Sequence, residues 1–169
     1  MELKLKTISK GGTAKAISKA ISYRYLHEPE EAESICRDIL AAEPDNAAAL
    51  RLLGLAITDQ FTGDVTDRYA EAESVFQSLP DRYERIYYTG LLHERQAKAQ
   101  LCAGRPLRTL VVLFENAMAC FEQAEKIRPP DNDDAILRWN RCVRILEALP
   151  GSGEKEMPAF EAADSAPVA

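Results

Sequence analysis

A proline between two helical patterns is the feature that most constrains how this chain folds. Within residues 32–57, small and apolar side chains before the proline recur at intervals of three and four and line one helix face: Ala32, Cys36, Ile39 and Leu40. Pro44 lacks a backbone N–H and disfavours helix in the residue before it, so this helix ends there. Asp45 and Asn46 can cap a second helix, whose buried face is Leu50, Leu53, Gly54 and Ile57. The stretch predicts two helices joined by a tight turn.

The spacing of this unit recurs twice further along the chain. Ala32 precedes Cys36 and Ile39 by four and seven residues, and the same offsets relate Ala72 to Phe76 and Leu79, and Ala117 to Phe121 and Ala124. The steps of six, nine, ten and thirteen that follow Pro44 recur after two later prolines: Pro80 before Ile86, Thr89, Gly90 and His93, and Pro130 before Ile136, Trp139, Asn140 and Val143. A period of about 20 to 50 residues is typical of stacked helical repeats. The sequence therefore predicts an all-α stack of helix pairs.

These residues resemble the tetratricopeptide repeat (TPR) family, in which a first helix with a bulky-then-small pair packs on a second helix that carries a small residue, an aromatic residue and a closing proline. The matching motifs are Leu53-Gly54, Tyr69-x-x-Ala72-x-x-x-Phe76 and Ala117-x-x-x-Phe121-x-x-Ala124-x-x-x-x-Pro129. The resemblance covers residues 13–149. It implies a right-handed superhelix of three helix pairs and a C-terminal closing helix.

The expected organisation is a basic N-terminal arm (1–12), units at about 13–44, 45–80 and 81–129, a closing helix (131–149) and a disordered tail (150–169). TPR units repeat every ~34 residues, whereas Ala32 to Ala72 is 40 residues and Ala72 to Ala117 is 45. We therefore expect about six extra residues around 61–67 and a shortened helix before Pro80. A further 15 residues between Gly90 and Ala117 should lengthen both helices of the third pair.

Composition excludes several classes of function. A formal net charge of −6 argues against a nucleic-acid binder, whose affinity comes mainly from Lys and Arg on phosphates. The longest strongly apolar run, residues 110–114, is far short of the roughly 20 residues needed to cross a bilayer. No apolar segment typical of a secretory signal begins the chain. Four widely separated cysteines, none in a C-x-x-C pair, indicate buried free thiols in the cytoplasm: Cys36, Cys102, Cys120 and Cys142.

No catalytic signature is present: the sequence has no Gly-rich phosphate loop, no G-x-S-x-G and no H-E-x-x-H motif. His27 falls in the expected first turn and His93 on a buried face, so we interpret both as structural. We therefore expect no enzyme, metal or cofactor. A thiol- or metal-dependent site is an alternative, built either on Cys120 beside Phe121 or on Cys102 with His93 nine residues earlier, but no motif supports it.

A stack of helix pairs curves, and its first helices line a concave groove, which in the TPR family binds peptides. Matching positions predict a groove formed by Arg24, Tyr25, Arg51, Leu55, Asp59, Tyr87, Leu91, Arg95, Arg141 and Arg144. Arg and Tyr among aliphatic residues suit a peptide or helix of another protein. Leu55 stands where the carboxylate clamp of some TPR proteins needs a polar residue, which disfavours binding of a C-terminal carboxylate.

The sequence thus predicts a non-enzymatic, cytoplasmic protein-interaction module that binds a partner protein or peptide, with no nucleic-acid or membrane binding. One alternative is a self-associating scaffold, a homo-oligomer that uses the long third hairpin or an uncapped terminus. Two local questions stay open. Arg138, Arg141 and Arg144 fit either a solvated face or a ligand contact, and Trp139 fits either the core or a binding platform.

Overall fold

The computed structural model describes residues 3–63 and 66–150 as seven α-helices joined by short turns. The helices are α1 (Thr13–Tyr25), α2 (Pro29–Ala42), α3 (Ala47–Asp59), α4 (Thr66–Gln77), α5 (Arg82–Cys102), α6 (Leu107–Lys126) and α7 (Asp134–Ala148), preceded by a 3-10 turn at Lys10–Gly12. No strand occurs in these two ranges, so the all-α prediction is confirmed. The expected disordered tail lies outside the described residues from 151 onwards.

Polar side chains and turn residues begin and end the helices near the expected positions. The side-chain Oδ1 of Asn46 accepts a hydrogen bond of 3.0 Å from the backbone N–H of Ala49 and so caps α3. Asp81 caps α5 in the same way through Glu84, at 2.8 Å. Between α5 and α6, Gly104 adopts a φ of +69°, which glycine tolerates without steric cost.

Helix lengths follow the predicted insertions in the second and third pairs. With 21 and 20 residues, α5 and α6 are the long hairpin that the extra residues predicted. Six residues separate α3 from α4, against three between α1 and α2. Three of the six inserted residues therefore fall between the helices, and the other three extend the start of α4. Beyond Ala72, α4 continues for only five residues, whereas α2 continues for ten beyond Ala32, which matches the shortening expected before Pro80.

Each helix packs on the next one in the chain, and alternate helices also touch. The alternate contacts are α1 with α3, α3 with α5, and α5 with α7. We call these four helices the odd-helix layer. The even-numbered helices α2, α4 and α6 each pack against the two members of this layer that flank them in the chain. Residues on α1, α3, α5 and α7 are therefore brought side by side.

Small residues lie at the helix contacts of a core formed by two apolar clusters. One cluster surrounds Phe76 and the other includes Phe114 and Phe121. All six small residues that the repeat pattern marked are buried: Ala20, Ala32, Gly54, Ala72, Gly90 and Ala117. Gly54 faces the ring of Phe76, and Gly90 faces the ring of Phe121. Close approach at these points sets the spacing between neighbouring helices.

Candidate functional site

Asp59, the last residue of α3, joins three helices of the odd-helix layer. Its carboxylate accepts a hydrogen bond of 2.7 Å from Nε of Arg24 on α1 and another from Nη1 of Arg95 on α5. Arg95 also donates to Oγ1 of Thr58 at 2.8 Å and to the backbone oxygen of Leu55 at 3.2 Å. Burial lowers the pKa of the Arg95 guanidinium, and the charge of Asp59 opposes that shift. We call Arg24, Asp59 and Arg95 the Asp59 cluster.

A second ion pair links α3 to α5 on the same layer. Nη1 of Arg51 lies 2.5 Å from Oε1 of Glu84, and the two side chains are 34% and 23% exposed. Water therefore screens this pair, and its contribution to stability is small, ~1 kcal/mol or less. Because about a third of its side chain remains exposed, Arg51 can also contact a ligand.

A fully buried carboxylate, Glu94, lies where α5 meets α7. It accepts a hydrogen bond from Nζ of Lys98, one turn further along α5, and lies 3.6 Å from Nη1 of Arg138 on α7. Arg138 also hydrogen-bonds to the Tyr87 hydroxyl, whose pKa is raised by burial in spite of that contact. The second oxygen of Glu94, Oε2, has no hydrogen-bond partner among the described residues. Lys98 and Arg138 thus flank one buried carboxylate.

A pocket of about 590 Å³ opens beside both groups of charges, between the end of α3, the second half of α5, and α7. We call it the Lys98 pocket. Its wall includes Asp59, Phe61, Arg95, Lys98, Ala99 and Arg138. A ligand there would meet cations on two helices and a partly apolar surface.

The structure brings several of the predicted groove residues together. Asp59 contacts both Arg24 and Arg95, and the backbone oxygen of Leu55 also accepts from Arg95. Arg51 lies on α3 and pairs with Glu84 of α5. Tyr87 is half-buried, stacked on Tyr83 with ring centroids 5.8 Å apart. Tyr25 is 81% exposed at the end of α1, and Arg141 and Arg144 are exposed on α7.

One predicted groove residue is not available to a ligand. Leu91 is only 2% exposed, so its side chain belongs to the core and not to a binding surface. Its offset in the repeat matches the predicted groove positions, but α5 packs so that the Leu91 side chain lies in the core. Trp139 likewise packs against the second apolar cluster, as the core interpretation expects.

The three arginines of α7 differ in their surroundings, and one cation of the pocket, Lys98, was not predicted from the sequence. Arg138 contacts Glu94 and Tyr87, whereas Arg141 and Arg144 are exposed. Lys98 was not among the predicted groove residues. Its spacing of four residues from Glu94 is the signal that could have found it, because such residues are neighbours on a helix.

The histidines occupy structural positions. His27 adopts a φ of +60° in the turn between α1 and α2. His93 places Nδ1 3.1 Å from the Tyr69 hydroxyl, and burial lowers the pKa of its imidazole. Within the two described ranges, no group of three or more His, Cys, Asp or Glu residues is arranged to hold a metal ion.

The four cysteines are free thiols in different environments. Burial raises the pKa of Cys36 and of Cys142 to about 12, so both are protonated at neutral pH. Cys120 is half-buried, and burial raises its pKa as well. Cys102 is exposed on the wall of the Lys98 pocket, so the expectation that every thiol is buried is wrong for this residue. It comes in the last turn of the long helix α5, where packing against neighbours ends.

Comparison with protein-family models and with curated proteins finds no match to this chain. No helix in residues 3–63 and 66–150 has the combined length and apolar character that a membrane crossing requires. The resemblance to the TPR family therefore depends on the repeated residues of the sequence alone.

Proposed function

We propose that the chain is a TPR-like helical repeat domain that binds a peptide or helix of another protein on its odd-helix layer. The observation that carries this proposal is the Asp59 cluster. Residues predicted from repeat offsets alone, from three separate units, touch one another through hydrogen bonds. A common surface on α1, α3 and α5 is the arrangement that groove binding needs.

The pattern of helix contacts supports the TPR-like part of the proposal. First helices of successive pairs touch each other, and each second helix packs between two of them. Gly54 lies against the ring of Phe76 in the second helix pair, and Gly90 lies against the ring of Phe121 in the third. A right-handed superhelix with a concave inner face, formed by the odd-helix layer, is part of what we propose.

The chemistry of this surface supports peptide binding without catalysis. Arginine and tyrosine side chains bury large areas and form several hydrogen bonds, and they dominate the energy of many protein interfaces. Arg51, Tyr25 and Arg141 keep accessible surface on this layer or at its edge. The four free cysteines support the further proposal of a cytoplasmic location, where thiols stay reduced.

A capture experiment with matched variants tests the proposal. The full chain is immobilised and exposed to a lysate of its source cells, and bound proteins are quantified by mass spectrometry. The test variant Arg51→Ala/Arg141→Ala removes two side chains from odd-numbered helices. The control Arg37→Ala/Arg108→Ala removes two arginine side chains from α2 and α6. Arg37 forms ion pairs with two glutamates, as Arg51 does with one.

We expect the test variant to lose the proteins that the wild-type chain captures, while the control keeps them. Circular dichroism must show equal helicity for all three proteins. If the control and the test variant lose the same proteins, or neither loses any, the odd-helix layer is not the binding surface and the proposal fails.

Self-association is a second candidate, favoured by one specific observation. At the first end of the stack, Ile21, Tyr25 and Leu26 are 38%, 81% and 65% exposed. An apolar end on a helical repeat calls for a cap or a partner, because stacked repeats bury their faces against neighbours. Light scattering across protein concentrations tests this reading: a dimer that Tyr25→Ser/Leu26→Ser converts to monomer supports it. A wild-type chain that stays monomeric at all concentrations excludes it.

A further inference from the structure

We propose that the Lys98 pocket binds an acidic side chain, Asp or Glu, of the partner peptide. This inference rests on the proposed function, because it names the chemistry that one part of the peptide surface recognises.

The cations around the pocket outnumber the carboxylates. The pocket wall carries three cations, Arg95, Lys98 and Arg138, and one carboxylate, Asp59. The sum is +3 − 1, or +2, and it is still +1 when the buried Glu94 that pairs with Lys98 and Arg138 is counted. The formal net charge of the whole chain is −6. This concentration of positive charge is therefore a local feature and not a reflection of overall composition.

The excess positive charge is accessible to a ligand. The side chains of Lys98 and Arg138 are 36% and 37% exposed, whereas Glu94, which partly neutralises them, is fully buried. An ammonium group has three N–H donors and a guanidinium has five. Contact with Glu94 therefore leaves donors on both groups that can turn towards the pocket.

The remaining wall favours a peptide side chain over a bare anion. Phe61 and Ala99 are half-buried and apolar, and they can contact the methylene groups of Glu or an apolar neighbour in the peptide. The volume of about 590 Å³ lies within the range of ~300–1,000 Å³ that is common for binding pockets. This leaves space for one acidic side chain together with part of an adjacent residue.

Nucleic acid is disfavoured as the source of the negative charge. A polyanion interacts with the field of the whole protein, and a net charge of −6 repels it. A single carboxylate on a peptide instead responds mainly to charges within about a Debye length, ~8 Å at physiological salt. The local excess at the pocket can therefore attract an acidic side chain even though the chain as a whole is acidic.

A substitution at Ala99 can change the charge of the pocket wall without removing an existing ion pair. Ala99 lies on this wall and its side chain is an uncharged methyl group, so Ala99→Glu adds a negative charge beside Lys98. Ala99→Gln is the matched control, because the two side chains are nearly equal in size and helix propensity. A random-peptide display library is selected against the full-length wild-type chain, and the enriched peptides are synthesised with a fluorophore for anisotropy titrations.

We expect enriched peptides to share an Asp or Glu position. Replacing that residue by its amide should weaken binding at least tenfold, as should Ala99→Glu, while Ala99→Gln stays within threefold of wild type. If Ala99→Glu reduces helicity, Thr62→Glu takes its place, with Thr62→Gln as the matched control, because Thr62 is an exposed residue of the same pocket wall.

The outcomes separate this inference from the proposed function. Enriched peptides without an acidic preference, bound equally well by Ala99→Glu and Ala99→Gln, overturn the inference and leave the peptide-binding proposal standing. If no peptide is enriched while labelled single-stranded oligonucleotides bind the chain, both proposals are overturned. If neither peptides nor oligonucleotides bind, the peptide-binding proposal fails and the inference fails with it.

Discussion

The ring of Phe76 on α4 lies against the backbone of Gly54 on α3, so that a Cβ on Gly54 would come within 2.7 Å of three of its atoms. The ring is fully buried and stacks on Tyr88 of α5 at a centroid distance of 5.1 Å. Gly90 and Phe121 repeat this relationship between α5 and α6, where a Cβ would lie 2.8 Å from Cε1. The missing side chain at each glycine is therefore what lets an aromatic ring reach the neighbouring helix.

Gly54→Ala should destabilise the protein, although alanine is the better helix former. The added methyl group must displace a ring that is held on its other side by Tyr88, and overpacking of this kind costs about 1–3 kcal/mol. A urea titration followed by circular dichroism measures the change. Gly11→Ala serves as the control, because no atom lies within 4 Å of the position of its Cβ. Equal urea midpoints for Gly54→Ala and wild type would show that the ring has room to move.

The small and aromatic positions of the core could be read from the sequence because they obey local rules. Helix periodicity placed Ala32 and Phe76 on buried faces. Asp45 and Asn46 were both predicted as possible caps, and Asn46 is the one that caps α3. Helix boundaries follow from proline, glycine and capping residues, whose effects extend over only a few positions. The all-α class and the long α5–α6 hairpin were therefore accessible without coordinates.

The pairing of charges in the candidate site was not accessible in this way. Asp59 joins residues that are 35 and 36 positions away in the chain, and many other carboxylates are available to Arg24 and Arg95. Repeat offsets also gave Leu91 and Tyr87 the same expected role, although one is buried and the other half-exposed. These distinctions depend on how far each helix turns against its neighbours, which the spacing of residues does not encode.

Glu33 should make the stability of the protein depend on pH in the acidic range. Burial alone would raise the pKa of its carboxyl group, but hydrogen bonds from Arg68, Arg37 and Gln60 outweigh burial and lower it to about 2. The donors lie 2.5, 2.6 and 2.6 Å away. Because the unfolded-state pKa is near 4.5, the stabilisation is fully present above that pH and is lost as the pH falls towards 2.

Urea unfolding at a series of pH values between 2 and 6 measures this effect. Glu33→Gln should be less stable than wild type at pH 6, and the difference should shrink as the pH decreases. Glu31→Gln, an exposed residue of the same helix, provides the control for loss of one carboxylate. A stability difference between Glu33→Gln and wild type that stays constant across this range would contradict the assigned role of the hydrogen bonds.

Glu94 and Lys98 should be energetically coupled. Lys98→Met leaves Arg138, at 3.6 Å, as the one cation paired with the buried carboxylate in the described part of the chain, so it should cost more stability than loss of a surface charge usually does. In a Glu94→Gln background the same substitution removes no charge partner and should cost less. We expect a coupling free energy of about 1–3 kcal/mol from the four proteins of a double-mutant cycle. If the two substitutions change the free energy of unfolding additively, the coupling free energy is zero and the contact between Glu94 and Lys98 does not stabilise the protein.

The four thiols should differ strongly in their reactivity towards a disulfide reagent. Cys102 is exposed, whereas Cys36 and Cys142 are fully buried, with pKa values raised to about 12 by that burial. Since the thiolate is the reactive form, the two buried residues should react only when the protein unfolds. In native protein at pH 8, one thiol per chain should react in the fast phase, and Cys102→Ser should abolish that phase. Half-buried Cys120 should react more slowly, because burial raises its pKa too. A fast phase that persists in Cys102→Ser would place the accessible thiol on α2, α6 or α7 and show that a cysteine buried or half-buried in this structure is reached by the reagent.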